Sequence, residues 1–128
     1  MRTTLALTAL LFLAAADPRQ PILGHWTGSS KCTAVRPACH DEIASYYIKP
    51  GPKADVVTMV LDKVVNGKEE WMGTDDFHVD FEKQTLNLVM AQNGSVWTFT
   101  WSGDTMTGTA KEADGRIIRN IRLTKQAK

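Results

Sequence analysis

Beyond residue 17 the chain alternates apolar and polar residues in short runs with a period of two. Trp97, Phe99 and Trp101 fall on one side of an extended segment, and Thr98 and Thr100 on the other. Leu86, Leu88 and Met90 alternate with Thr85 and Asn87 in the same way, and Phe77, Val79 and Phe81 with His78, Asp80 and Glu82. Runs of this kind offer one face to a core and one to solvent, as half-buried antiparallel strands do. No stretch in this part of the chain sustains the helical period of about 3.6, so any helix is short.

The runs are separated by turn formers. Asn66-Gly67, Asn93-Gly94 and Asp114-Gly115 supply the positive φ angles that two-residue hairpin turns need, and Pro50-Gly51-Pro52 and Ser102-Gly103-Asp104 mark further turns. The pattern predicts strands near residues 22–32, 42–49, 54–65, 68–81, 85–92, 95–101, 105–112 and 116–124. In the long fourth run, Gly73 and the Asp75-Asp76 pair predict a bulge or a break, and a break would make nine strands. Consecutive hairpins give an all-β, antiparallel up-and-down meander of about eight strands. Closing it into a barrel removes the two unpaired edges of an open sheet. The interior of an eight-stranded barrel is either filled by side chains or holds one small ligand. Only Asp17 to Pro21 reads as a loose arm.

The first segment changes the picture of where this barrel works. Arg2 precedes an apolar run from Leu5 to Leu13 and then Ala14, Ala15 and Ala16, the small-residue pattern of a secretory cleavage site. The expectation is a signal peptide over residues 1–16 and one β-barrel domain over 17–128. The apolar run is well short of the roughly 20 residues of a membrane-spanning helix, and no cysteine follows the cut to carry a lipid. A periplasmic or secreted protein without a membrane anchor is expected. Two cysteines, Cys32 and Cys39, then meet an oxidising compartment and are expected to form a disulfide.

Without Arg2 the basic and acidic residues balance, so the mature chain lacks the basic face that phosphate neutralisation requires, and nucleic acid is not an expected partner.

Gly24-His25-Trp26 near the mature N-terminus resembles the Gly-x-Trp first-strand signature of the calycins, the superfamily of lipocalins and related barrels. The last strand carries an arginine: Ile117, Arg119, Ile121 and Leu123 alternate with Ile118, Asn120, Arg122 and Thr124, which puts Arg119 on the more apolar face. The resemblance implies a closed lipocalin-like barrel in which an arginine lies across the tryptophan and closes the base, with Arg119 and Trp26 as the pair and Arg122 as fallback. It extends to the small lipocalin-like proteins of bacterial envelopes, a group that includes lysozyme and protease inhibitors. The chain departs from typical lipocalins in being shorter and in showing no helix after its strands. A shared fold does not transfer a function.

Candidate chemistry is sparse. Cys39-His40-Asp41-Glu42 could contribute metal ligands or an acid–base pair, yet adjacent residues on an extended segment point to opposite faces, so His40, Asp41 and Glu42 are weak metal candidates. Six residues between Cys32 and Cys39 do not fit the two-residue spacing of covalent haem attachment, and no cofactor is expected. His78 with Asp75, Asp76 and Asp80 reads as a solvated face, and His25 should point away from the Trp26 side. Ser45 and Ser95 have no base partner apparent in the sequence, and no Gly-x-Ser-x-Gly is present, so catalysis is not the expected activity. Asn93-Gly94-Ser95 matches a glycosylation acceptor and equally a turn.

What remains is a large set of aromatic and thioether side chains. Trp26, Tyr47, Met59, Trp71, Met90, Trp97, Phe99 and Trp101 are the candidate ligand-binding residues, with core filling as the competing use. The leading expectation is a barrel that binds a small apolar ligand, which requires an interior cavity above roughly 300 Å³. The alternatives are a protein-binding module, such as an inhibitor of a secreted hydrolase that inserts the 17–21 arm or the 32–39 loop, and a metal-binding envelope protein.

Overall fold

A computed structural model describes residues 16–127. The expected signal segment therefore lies outside the described residues, except for Ala16. A short 3-10 turn, Gln20–Ile22, leads into eight strands: β1 (Gly24–Cys32), β2 (Glu42–Pro50), β3 (Val56–Val65), β4 (Lys68–Asp80), β5 (Thr85–Val89), β6 (Val96–Ser102), β7 (Thr105–Lys111) and β8 (Ile117–Lys125). Each strand pairs antiparallel with the next, and β1 pairs with β8, so the meander closes into a barrel. This all-β architecture is consistent with a lipocalin-like fold. No helix among the described residues is long and apolar enough to cross a membrane.

The fourth run bulges rather than breaks. Leu61 pairs with Gly73 and Asp62 with Trp71, which leaves Met72 as the extra residue on β4 and keeps the strand count at eight. Of the three Asx-Gly turns, only Asn66-Gly67 is the expected two-residue hairpin, with φ of 52° and 77°. Asn93-Gly94 and Asp114-Gly115 sit in longer loops instead. There the Asn93 and Asp114 side chains accept the backbone N–H of Ser95 and Arg116, both at 2.9 Å, and only the glycine takes positive φ.

The lower barrel is solid. Trp26, Met59, Leu86, Phe99, Met106 and Leu123 are wholly buried, with Tyr46, Phe77 and Val79 nearly so. Phe99 meets Tyr46 and Phe77 edge to face, with ring centroids 6.3 and 5.7 Å apart. Two glycines make this packing possible. A Cβ on Gly108 would stand 2.4 Å from the Phe99 ring, and one on Gly28 would stand 1.8 Å from the Arg122 carbonyl oxygen, where β1 closes on β8.

The expected loose arm is tied down. Arg19 pairs with Asp17 at 2.9 Å and donates to the carbonyls of Gly51, Lys53 and Val56, which fastens the arm to the β2–β3 turn. Ile22 is wholly buried, and its carbonyl accepts the Trp26 indole N–H at 2.9 Å, so the 3-10 turn plugs the barrel base.

The base closes with a different cation from the one expected. The β1–β8 register sets Lys125 opposite Trp26 and Arg119 opposite Cys32, at the other end of β1. Lys125 Nζ lies 5.9 Å from the Trp26 ring and donates to the Pro21 carbonyl at 3.1 Å, so it, and neither Arg119 nor the fallback Arg122, is the cation over the tryptophan.

Candidate functional site

The end of the barrel opposite the plug is open. Leu61 on β3, Met72, Gly73, Asp75 and Phe77 on β4, Leu88 on β5, Trp97 on β6 and Met90 after β5 surround a cavity of about 250 Å³, with Glu42 and Arg119 on its β2 and β8 side. The β4 bulge contributes directly, because the extra residue Met72 reaches the cavity. The volume lies below the roughly 300 Å³ that the expected interior carrier site requires, so that expectation is not met, and what the barrel offers is a smaller hollow confined to its mouth. The reason is that the core aromatics fill the barrel beneath it.

Arg119 organises the mouth. One terminal nitrogen donates to the Ser30 hydroxyl at 3.1 Å and to its carbonyl, and the other to the His40 carbonyl at 3.1 Å and to Glu42 Oε1 at 3.3 Å. It thereby stitches β8 to β1 and to the end of the Cys32–Cys39 loop. That loop is closed by the expected disulfide, with Cα atoms 5.9 Å apart. Thr33 anchors it to β8 through the Ile117 and Ile118 carbonyls, and Arg36 pairs with Glu112. Burial pushes the phenol of Tyr46, beneath Arg119, up to about 12; the Glu42 carboxylate acts in the same sense, and Arg119 and the Ser30 hydroxyl oppose it.

Among the eight candidate ligand-binding residues, Trp97 and Met90 line the cavity. Trp26, Met59, Phe99 and Trp101 are core filling. Tyr47 and Trp71 lie outside the barrel: the Tyr47 ring stacks on His25 at 4.2 Å, and Trp71 is 69% exposed with its indole N–H on Thr74. Residues at the cavity that the sequence did not point to are Leu61, Met72, Leu88 and above all Asp75. A signal for Asp75 existed, since it shares the parity of Phe77 and Val79, whereas His78 and Asp80 occupy the other face.

The other polar groups disperse. Asp41 accepts the Cys32 N–H at 2.8 Å, Glu42 is held by Arg119, and among the described residues no set of three His, Cys, Asp or Glu side chains is arranged to hold a metal ion. His78 pairs with Asp55, Asp76 accepts from Thr58, and Asp80 caps the Lys83 N–H.

Ser45 does have partners. Its hydroxyl lies 2.7 Å from His25 Nε2 and 3.0 Å from Glu69 Oε1, which also accepts from the Tyr47 hydroxyl at 2.6 Å. The Tyr47 and Ser45 hydrogen bonds hold the Glu69 carboxyl below its usual range, while burial, and then Glu69 beside it, raise Asp62. In a hydrolytic triad the imidazole stands between hydroxyl and carboxylate. Here the hydroxyl stands between the other two and is buried, so the network fastens β1, β2 and β4 together and presents no nucleophile.

A larger hollow of about 510 Å³ lies on the outer wall, where Thr98, Thr100, Thr107 and Thr109 stand with Lys31 and Arg122. It is a shallow furrow whose lining also includes Gly108 and Ile121. No family model matches the chain, and no curated protein matches it.

Proposed function

We propose that the protein is an exported, lipocalin-like cup that binds a small, largely apolar molecule in the mouth of its barrel. The observation that carries this reading is the mouth cavity itself, where Met72, Leu88, Met90 and Trp97 offer apolar surface above Leu61, Phe77 and the rest of a packed core. Thioether side chains at two of these places adapt their shape to a guest. The volume of about 250 Å³ restricts the guest to one smaller than a typical drug-sized ligand, inserted from the open end. Export is supported by the signal-like first segment and by the Cys32–Cys39 bridge.

The test pairs native mass spectrometry of the mature protein, purified from its own source, with an NMR titration by phenethyl alcohol, a neutral probe of suitable size. A co-purifying small molecule that is lost on denaturation, together with shifts confined to the Leu61, Met72, Leu88 and Met90 methyls, is expected. Shifts on the outer wall only, or none at saturating probe, overturn the reading. Recovery of a protein partner instead favours the binding-module alternative. That alternative keeps one support, the stapled 32–39 loop at the rim with Ile43 and Trp71 exposed on the outer faces of β2 and β4.

A further inference from the structure

We propose that the guest of the barrel mouth is cationic, an apolar body carrying a protonated amine, and that Asp75 is the residue that pairs with it. This rests on the mouth being a ligand site and adds the charge of the ligand.

Three charged side chains border the cavity: Glu42, Arg119 and Asp75. The first two neutralise each other, and both terminal nitrogens of Arg119 are committed to Ser30, His40 and Glu42. Lys63 lies with Arg119 in the neighbouring rim hollow and does not border this cavity. Asp75 stands on β4 opposite the wholly buried Met59, is half-buried itself, and among the described residues makes no hydrogen bond or ion pair. Its acidic neighbours on the same strand do have partners: Asp76 takes a hydrogen bond from Thr58 and Asp80 one from Lys83. The mouth is thus an apolar cavity with one uncompensated negative charge.

Among the described residues no buried side-chain oxygen lacks a partner, so the Asp75 carboxylate reaches solvent, and its charge stands at the edge of an apolar cavity with water alone to pair it. An ammonium group replaces that water with a charge-assisted hydrogen bond, and the half-buried Trp97 ring adds a face that attracts a cation. An anionic guest meets repulsion from Asp75 and finds the Arg119 donors already occupied.

The experiment titrates the mature, disulfide-bonded chain near neutral pH with phenethylammonium, phenethyl alcohol and hydrocinnamate, three probes that differ mainly in charge. The cation is expected to bind more tightly than the alcohol by about tenfold, the size of one charge-assisted hydrogen bond at a half-exposed site, and the anion more weakly than either. Asp75→Asn should bring the cation down to the affinity of the alcohol and leave the alcohol unchanged. Asp76→Asn removes the same charge from the outer face and should keep the preference. An unchanged amide spectrum establishes that each variant is folded. Equal binding of cation and alcohol by the parent protein, or a preference that survives Asp75→Asn or is lost equally in Asp76→Asn, overturns the charge assignment. Absence of alcohol binding to the mouth overturns the ligand site as well.

Discussion

Replacing Gly108 by alanine tests whether the core under the mouth is as tightly set as its geometry implies. The added Cβ would lie 2.4 and 2.6 Å from two carbons of the Phe99 ring and 3.1 Å from the Thr98 carbonyl oxygen. Carbon atoms in contact prefer about 3.5 to 4.0 Å, so a gap of about 1 Å has to open. Phe99 is wholly buried and flanked by Tyr46 and Phe77, which leaves the ring no solvent to retreat into. Overpacking of this kind costs about 1 to 3 kcal/mol, which in a domain of this size lowers Tm by roughly 4 to 12 °C. Gly108 has no positive φ, so the backbone itself would accept alanine. The loss should therefore depend on the ring. Urea denaturation of Gly108→Ala in the parent and in a Phe99→Leu background forms a double-mutant cycle, in which the cost is expected to fall below about 0.5 kcal/mol once the ring is gone. Gly103→Ala, at φ of 56° with nothing within 4 Å, provides the contrast: about 1 kcal/mol of backbone strain in either background. Because Phe99 packs on Phe77, a wall of the cavity, Gly108→Ala should also weaken phenethyl alcohol binding. An equal cost of Gly108→Ala in both backgrounds refutes the packing argument.

Two further outcomes follow from single features. Tyr46 is protonated in the folded state up to about 12, against an ordinary value near 10, so the unfolded chain releases this proton first as pH rises. The contribution is intact below pH 10 and is lost between about 10 and 12, amounting to roughly 2 to 3 kcal/mol; Tyr46→Phe should abolish this extra alkaline loss in pH-dependent urea unfolding, and superimposable profiles refute the assignment. Exchanging Cys32 and Cys39 for serine opens a loop between residues seven apart and should cost about 2 to 3 kcal/mol in calorimetry, with hydrogen exchange accelerated at residues 33–41 only. A spread of that acceleration to β3 and β4 would show the loop to be part of the core.

The strands were legible because alternation is local: each run needs only its own residues to declare two faces, and all eight strands stand close to their expected places. The ligand candidates were less so. Within Tyr46-Tyr47 both residues suit the interior, and only the pairing of β2 with its neighbours turns Tyr46 inward and sets Tyr47 against His25. Trp71 has the parity of Phe77 and Val79, and the bulge at Met72 reverses it. Nothing in the run itself shows that most of the aromatics would be consumed as core, because that depends on how much volume the closed barrel encloses.

By itself the sequence determined the period-two pattern, the sheet class and the disulfide pair, all of which depend on residues close together in the chain. The tertiary structure decided the rest. Barrel closure fixes the β1–β8 register across roughly a hundred residues, and that register gives Trp26 to Lys125 and sends Arg119 to the mouth. The same closure brings Asp75 beside Leu61, Leu88 and Trp97, an apolar neighbourhood assembled from strands that the chain visits far apart. A charge's partner, or its lack of one, is a property of that neighbourhood and has no local signature.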